Sequence, residues 1–247
     1  MVYNEIVQKT KTEMEEQIMA LCRNCNREIA ENSAFCSFCG TRTPKWFDGV
    51  FANDLYKYSI RPDGTVRIHE YIGNEEVVEV PEKIEGRAVT AIGILKGYVR
   101  GFSYCRSIKT VIIPDTVVEI GEKTFWNCPE LVDVFLPRNL VEMGVNVFEN
   151  CMKLSYVQVP SSLAFIPPFT FVNCKSLEGV TLFEGLEQIG YGAFQDCTSL
   201  NGIKFPASLK KIDRAAFAYC TSLDEVEFGS EDTVMEDGAF MDSPFGS

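Results

Sequence analysis

Six cysteines recur at a constant interval of 23 residues: Cys105, Cys128, Cys151, Cys174, Cys197 and Cys220. A fixed period of this size marks a repeat architecture and constrains the fold more than any other feature of the chain. The same unit surrounds each cysteine. Phenylalanine stands three residues before it, at 102, 125, 148, 171, 194 and 217, and Ile or Leu three residues after it, at 108, 131, 154, 177, 200 and 223. Two alternating apolar positions follow, from Val111 and Ile113 to Val226 and Phe228. Proline closes the unit at 114, 137, 160 and 206. Farther on come Val117, Leu140, Leu163, Leu186 and Leu209, then Ile120, Met143, Ile166, Ile189 and Ile212, with glycine after three of the latter.

The alternation, as in Val132-Asp133-Val134-Phe135-Leu136, predicts a short strand with one face buried. Proline ends it, because proline cannot donate to a ladder. One 23-residue coil cannot bury its apolar side alone, but stacked coils can. Equivalent residues of adjacent coils then lie about 4.8 Å apart, the spacing of a parallel sheet. The six cysteines form a ladder inside this solenoid and act as small, unreactive hydrophobes. A catalytic residue does not recur six times.

The unit F-x-x-C-x-x-L-x-x-V-x-I/L-P resembles the BspA-type class of bacterial leucine-rich repeats. The stretches FENCMKLSYVQVP and FQDCTSLNGIKFP carry the likeness, which covers roughly residues 76–247. The resemblance implies a curved solenoid of leucine-rich-repeat type, with a parallel β-sheet on its concave face and short helical or irregular convex segments. It also implies a role in binding proteins or cell surfaces, and many members are secreted adhesins.

Both ends of the array read as caps. Tyr58/Ile60 and Val66/Ile68 alternate about the turn Pro62-Asp63-Gly64, which predicts a hairpin. An irregular first repeat follows: the interval from Pro81 to Pro114 exceeds one period by ten positions. At the other end Phe240 keeps the phase, while Ser243 replaces the cysteine and Asp232 an apolar position, so a more polar last coil is expected.

The remaining four cysteines lie in LCRNCNREIAENSAFCSFCG. Cys22 and Cys25 form one C-x-x-C pair, Cys36 and Cys39 a second, with ten residues between them. Four thiolates in two such turns suit tetrahedral zinc, with disulfides or an iron–sulfur cluster as alternatives. Four cysteine ligands leave no open position, so the site is structural. The segment resembles the zinc ribbons at the start of many bacterial proteins, although Asn26 stands where such ribbons usually have glycine.

The expected organisation is therefore an amphipathic helix over 1–20 (apolar at Ile6, Val7, Met14, Ile18 and, just past it, Leu21), a zinc ribbon over 21–43 and a linker over 44–55. The capping hairpin and irregular first repeat span 56–101, and the repeats with their degenerate cap 102–247. The N-terminal helix offers a surface for self-association.

Charge narrows the partners. The chain carries a net −12, and only six basic and seven acidic residues precede Gly49, leaving 17 basic and 28 acidic residues beyond it. Such a surface repels phosphate backbones, so nucleic acid is disfavoured. No apolar run reaches the length of a membrane span. The first residues, with Glu13, Glu15 and Glu16, lack the apolar core of a secretory signal, so the expected location is the cytoplasm. The one histidine, His69, builds no catalytic triad with its sequence neighbours, and no phosphate-binding glycine loop is present.

The variable positions of the strands point outward, onto the expected concave face. One column reads Thr110, Asp133, Tyr156, Gly179, Gly202, Glu225; the other Ile112, Phe135, Gln158, Thr181, Lys204, Glu227. Ile112, Phe135, Tyr156 and Gln158 are candidate contacts for a protein partner, unless the first repeat or the ribbon covers Ile112 and Phe135. Trp126 is either a further anchor or a packing partner for the linker around Trp46 and Phe47. The function expected is a non-enzymatic protein-interaction module with structural zinc. The alternatives are a cell-surface adhesin and, further off, a redox-sensing or enzymatic protein.

Overall fold

The computed structural model describes Met19–Leu21, Glu28–Ala30 and residues 50–94 and 101–246. The chain divides into two compact units, Met1–Ala52 and Asn53–Ser247, parted within the expected linker.

In the first unit, Met19–Leu21 pairs antiparallel with Glu28–Ala30, Leu21 opposite Glu28. Met19 and Ala20 are therefore strand residues, which corrects the expected helix at its last two positions. The rest of that helix, the four ribbon cysteines, Trp46 and Phe47 lie outside the described residues.

The second unit is a parallel-sheet solenoid in which each coil contributes two strands. The first ladder runs through Val77–Glu79, Thr110–Ile112, Asp133–Phe135, Tyr156–Gln158 and Gly179–Thr181. It resumes with Gly202–Phe205 and Glu225–Phe228, which pair with each other. The interruption falls between two strands that begin with glycine, a residue that weakens a strand. The second ladder joins Arg87–Ile92, Glu119–Ile120 and Glu142–Met143, and then Phe165–Ile166, Gln188–Ile189, Lys211–Ile212 and Val234–Met235. Register among the regular coils is one period: Thr110 pairs with Asp133, Asp133 with Tyr156, and Tyr156 with Gly179.

The irregular first repeat has a simple geometry. Val77 pairs with Thr110, ten positions beyond one period, and Ala91 with Glu119, five positions beyond it. The insertion is thus divided equally, half before the second ladder and half after it. The first half accommodates a small hairpin, Lys83–Ile84 against Arg87–Ala88.

Tyr56–Ile60 pairs antiparallel with Val66–Tyr71 as expected. Asp63 Oδ1 accepts from the backbone N–H of Thr65 at 2.9 Å, and Gly64 adopts a positive φ of 81°, the left-handed conformation that glycine tolerates best. Val66–Tyr71 then adds in parallel to Arg87–Ile92, so the hairpin closes the second ladder.

The segments between ladders are turns; the 3-10 turn Pro244–Gly246 is the one helical element among the described residues. Two positions per coil are left-handed, which no helix tolerates. One is the residue before each cysteine: Tyr104, Asn127, Asn150, Asn173, Asp196 and Tyr219. The other includes Lys123, Asn146, Phe169, Gly192 and Ala215. Backbone N–H groups reach across to the next coil instead, as from Phe125 to the Val147 carbonyl and from Phe148 to that of Thr170. Coils approach so closely that a Cβ on Gly144 would stand 2.3 Å from the Glu122 nitrogen.

The core is a continuous stack of rings. Tyr71, Phe102, Phe125, Phe148, Phe171, Phe194, Phe217 and Phe240 follow one another at centroid separations of 5.0–5.3 Å. Each buried Phe removes a large apolar surface from water, worth about 1.5–3 kcal/mol by transfer alone.

Candidate functional site

The cysteine ladder is ordered by more than burial. Cys128 Sγ donates to the Phe102 carbonyl of the preceding coil at 3.0 Å. Cys151, Cys174, Cys197 and Cys220 repeat the contact at 3.1 Å, to Phe125, Phe148, Phe171 and Phe194. Burial pushes the thiols of Cys151, Cys174 and Cys197 well up, and that of Cys220 up to about 12. A thiol that keeps its proton is neither a nucleophile nor a metal ligand. Cys105 differs: it is half-buried, and its Sγ lies 3.4 Å from Ser107 Oγ.

His69 Nε2 lies 2.7 Å from Ser59 Oγ inside the capping hairpin, and burial first, then Arg67, lowers its pKa. The nearby charge cluster is structural. Arg67 grips the buried Glu119 with both guanidinium nitrogens, at 2.5 and 2.7 Å, and also donates to the Gly93 carbonyl. Arg61 reaches the same carboxylate at 3.5 Å.

The outer face of the first ladder is different. Its inward residues Val111, Val134, Val157, Val180 and Ile203 are buried. Its outward residues Val77, Ile112, Phe135 and Tyr156 are 58%, 38%, 56% and 44% exposed. The register places them on four neighbouring strands, and Gln158 is exposed beside Tyr156. The first repeat therefore leaves Ile112 and Phe135 open, and Val77 extends their patch. That extension was hidden in the sequence by the ten-position insertion, which shifts Val77 out of the repeat frame.

Trp126 stands apart from this patch. It packs edge-on against Tyr104 at 4.9 Å, with Lys123 Nζ 5.7 Å from its ring centre. Its indole N–H is buried without a hydrogen-bond partner among the described residues.

Among the described residues, no group of three or more His, Cys, Asp or Glu is placed to hold a metal ion. Cys22, Cys25, Cys36 and Cys39 lie outside those residues. The described strands Met19–Leu21 and Glu28–Ala30 bracket residues 22–27, which include the first C-x-x-C pair. A hairpin around such a pair, with a second pair following, fits a zinc ribbon.

The solenoid, its two parallel ladders and its open strand face define a leucine-rich-repeat protein. The chain belongs to the BspA-type family: residues 98–224 and 146–245 match the BspA type leucine rich repeat region, in six copies. Residues 21–43 match the zinc-ribbon domain. Neither match is a catalytic family. Among solved structures, the chain is similar to the leucine rich repeat protein of T. pallidum (29% identity, 75% of this chain and 82% of that one, TM-score 0.67). It is also similar to a leucine rich cell surface protein from Faecalibacterium prausnitzii (26% identity, 74% and 55% coverage, TM-score 0.56). A leucine-rich repeat protein from Bacteroides ovatus matches at 27% identity, 80% and 57% coverage and a TM-score of 0.59. The chain spans little more than half the length of the latter two. No curated protein matches it. Among the described residues no helix is long and apolar enough to cross a membrane.

Proposed function

We propose that this chain is a non-enzymatic protein-interaction module that grips a partner through the outer face of its first ladder. One observation carries the reading: Val77, Ile112, Phe135 and Tyr156 are exposed on the outer face of four neighbouring strands, Ile112 and Phe135 side by side in one column, Val77 and Tyr156 in the other. Large apolar side chains clustered on a rigid sheet are what an interaction hot spot requires. Gln158 supplies a polar contact at its edge. Trp126 lies outside the patch and is assigned to packing against Tyr104.

Cys22, Cys25, Cys36 and Cys39 are proposed to hold zinc. Four thiolates complete the tetrahedron, so the metal's contribution is folding energy for a segment with little core of its own. The cytoplasm is the compartment proposed, a reducing one in which the ladder thiols, each bonded to a carbonyl of the preceding coil, stay reduced. A surface adhesin is the second reading, favoured by the likeness to the F. prausnitzii cell surface protein. Self-association through the N-terminal segment rests on residues outside the described ones.

The test is capture of a binding protein from the host lysate by the wild type and by a Phe135→Glu, Tyr156→Glu variant of equal thermal stability. Capture by the wild type and loss by the variant supports the face; equal capture by both rejects it. Localisation of the protein at the cell exterior, with its thiols oxidised, would favour the adhesin reading.

A further inference from the structure

The same face carries a charge pattern that specifies the chemistry of its occupant. In the parallel ladder Asp133 is the register partner of Tyr156, and Tyr156 that of Gly179. A Cβ built on Gly179 would lie 3.1 and 3.3 Å from Cδ2 and Cε2 of Tyr156, so the tyrosine ring lies down over the glycine. The Tyr156 hydroxyl is tied to Thr181 Oγ1, on the same strand as Gly179. The ring is thus held along the sheet, one side covering Gly179 and the other open to solvent. An open aromatic face beside a carboxylate is a seat for a cation, which is drawn both by the ring's negative face and by the charge.

Asp133 makes no ion pair among the described residues. Along the two outward columns and Glu79, the charged side chains are Glu79, Asp133, Lys204, Glu225 and Glu227, and the single base is already paired with Glu227 at 2.9 Å. The exposed apolar residues lie in the N-terminal half of the strip together with Glu79 and Asp133, Glu225 and Glu227 lie at its C-terminal end, and the small residues Gly179 and Gly202 lie between. An acidic or phosphorylated partner would meet repulsion over most of this length.

Resting on the interaction reading above, we propose that the occupant is an extended basic segment of a partner protein. A cationic side chain lies on Tyr156 beside Asp133. Apolar residues on one side of it cover Phe135, Ile112 and Val77. A second cationic group, toward the other side, meets Glu225 and Glu227. Three strand spacings separate Tyr156 from Glu225, roughly 14 Å, which an extended chain crosses in about four residues.

The probe is a fluorescent synthetic peptide with three apolar residues, an arginine, a three-residue Gly-Ser spacer and two lysines. It is titrated into the full chain by anisotropy at two salt concentrations. Binding is expected to weaken about 5–10-fold with Asp133→Asn and about 3–10-fold with Tyr156→Leu, which keeps bulk but removes the aromatic face. Citrulline in place of the arginine should cost as much as Asp133→Asn. The double variant Glu225→Gln, Glu227→Gln should weaken binding and flatten its salt dependence. The pair Glu231→Gln, Asp237→Asn, off the ladder strands, removes equal charge and should change the affinity less than about twofold. Equal binding of the citrulline peptide, equal damage from that off-face pair, or no binding at millimolar peptide each overturns the proposal. Should Phe135→Glu abolish capture of a host protein that the basic peptide does not displace, the basic occupant fails while the interaction reading stands. Should Phe135→Glu leave that capture unchanged, the reading itself fails.

Discussion

At its N-terminal end the ring stack finishes on Tyr71, which lies 5.0 Å from Phe102 and is flanked by Tyr56, inside a hairpin whose strands reverse direction. At its C-terminal end the stack finishes on Phe240, with Phe245 folded edge-on against it at 4.9 Å. The first end is fastened by charge as well as by packing, because Arg67 and Arg61 converge on Glu119 in the first regular coil. The second keeps apolar residues at core positions without burying them. Met235 is 47% exposed where Ile212, its register partner, is fully buried, and Val226 and Phe228 are only half-buried. Ser243, in the cysteine position, donates its hydroxyl to the Phe240 carbonyl of its own coil at 2.8 Å. A change of strand direction seals an array more completely than a repeat that fades, so local stability should fall toward the C-terminus.

The comparison breaks first in the middle. Phe148→Ala removes a ring from between two stacked neighbours and should cost about 3–5 kcal/mol in urea denaturation, more than any change at either end. A loss below about 1 kcal/mol would show that the stack is not the core that matters. Glu119→Gln leaves two guanidinium groups facing a neutral amide. A fully buried pair would lose about 3–5 kcal/mol; since Arg67 and Arg61 keep some exposure, about 2–3 kcal/mol is expected. Hydrogen exchange should then accelerate across 56–92 before it does elsewhere.

Phe245→Ala acts on a ring already 40% exposed and should cost about 1 kcal/mol, read as faster exchange confined to residues 223–246. Acceleration that spreads evenly through the array would mean that the C-terminal coil is as tightly coupled as the hairpin.

The smallest effect at neutral pH comes from the thiols, and its sign follows from their raised pKa values. The unfolded chain releases thiol protons near the ordinary value of 9, while the folded chain holds that of Cys220 to about 12. Their contribution is complete below pH 9 and is lost as pH rises toward 12. Thermal stability should therefore fall in that window, and less so in Cys220→Ala than in the parent. Within the repeats, thiol reagents at neutral pH should find Cys105 first.

Much of this was legible in the sequence because the repeat states it several times over. The Phe and Cys ladders, the first-ladder strands, the hairpin and the outward set Ile112, Phe135, Tyr156 each follow from period and alternation. The left-handed residue before each cysteine also had a signal, since Asn127, Asn150, Asn173 and Asp196 are the side chains that tolerate it. The second left-handed position had a weaker one: Asn146 and Gly192 tolerate it, whereas Lys123, Phe169 and Ala215 are held there by the stacked coils against their own preference. The Arg67–Glu119 pair joins two residues more than two periods apart, beyond the reach of any local pattern. The flattened ring of Tyr156 depends on Gly179 in the next coil, a relation that exists only once the coils are stacked.

The thiol–carbonyl contact has a consequence for how such a chain can change length. Each donor finds its acceptor at the same sequence offset, one period and three positions earlier, and each regular strand finds its partner one period away. Excising or duplicating one whole interior coil leaves every donor facing an equivalent acceptor. A change that falls one position short of a whole coil, or one beyond it, misplaces all those across the joint. The molecule is therefore a cassette array, extendable by recombination in frame with its own period. The row of outward residues is the part free to vary as coils are gained or lost.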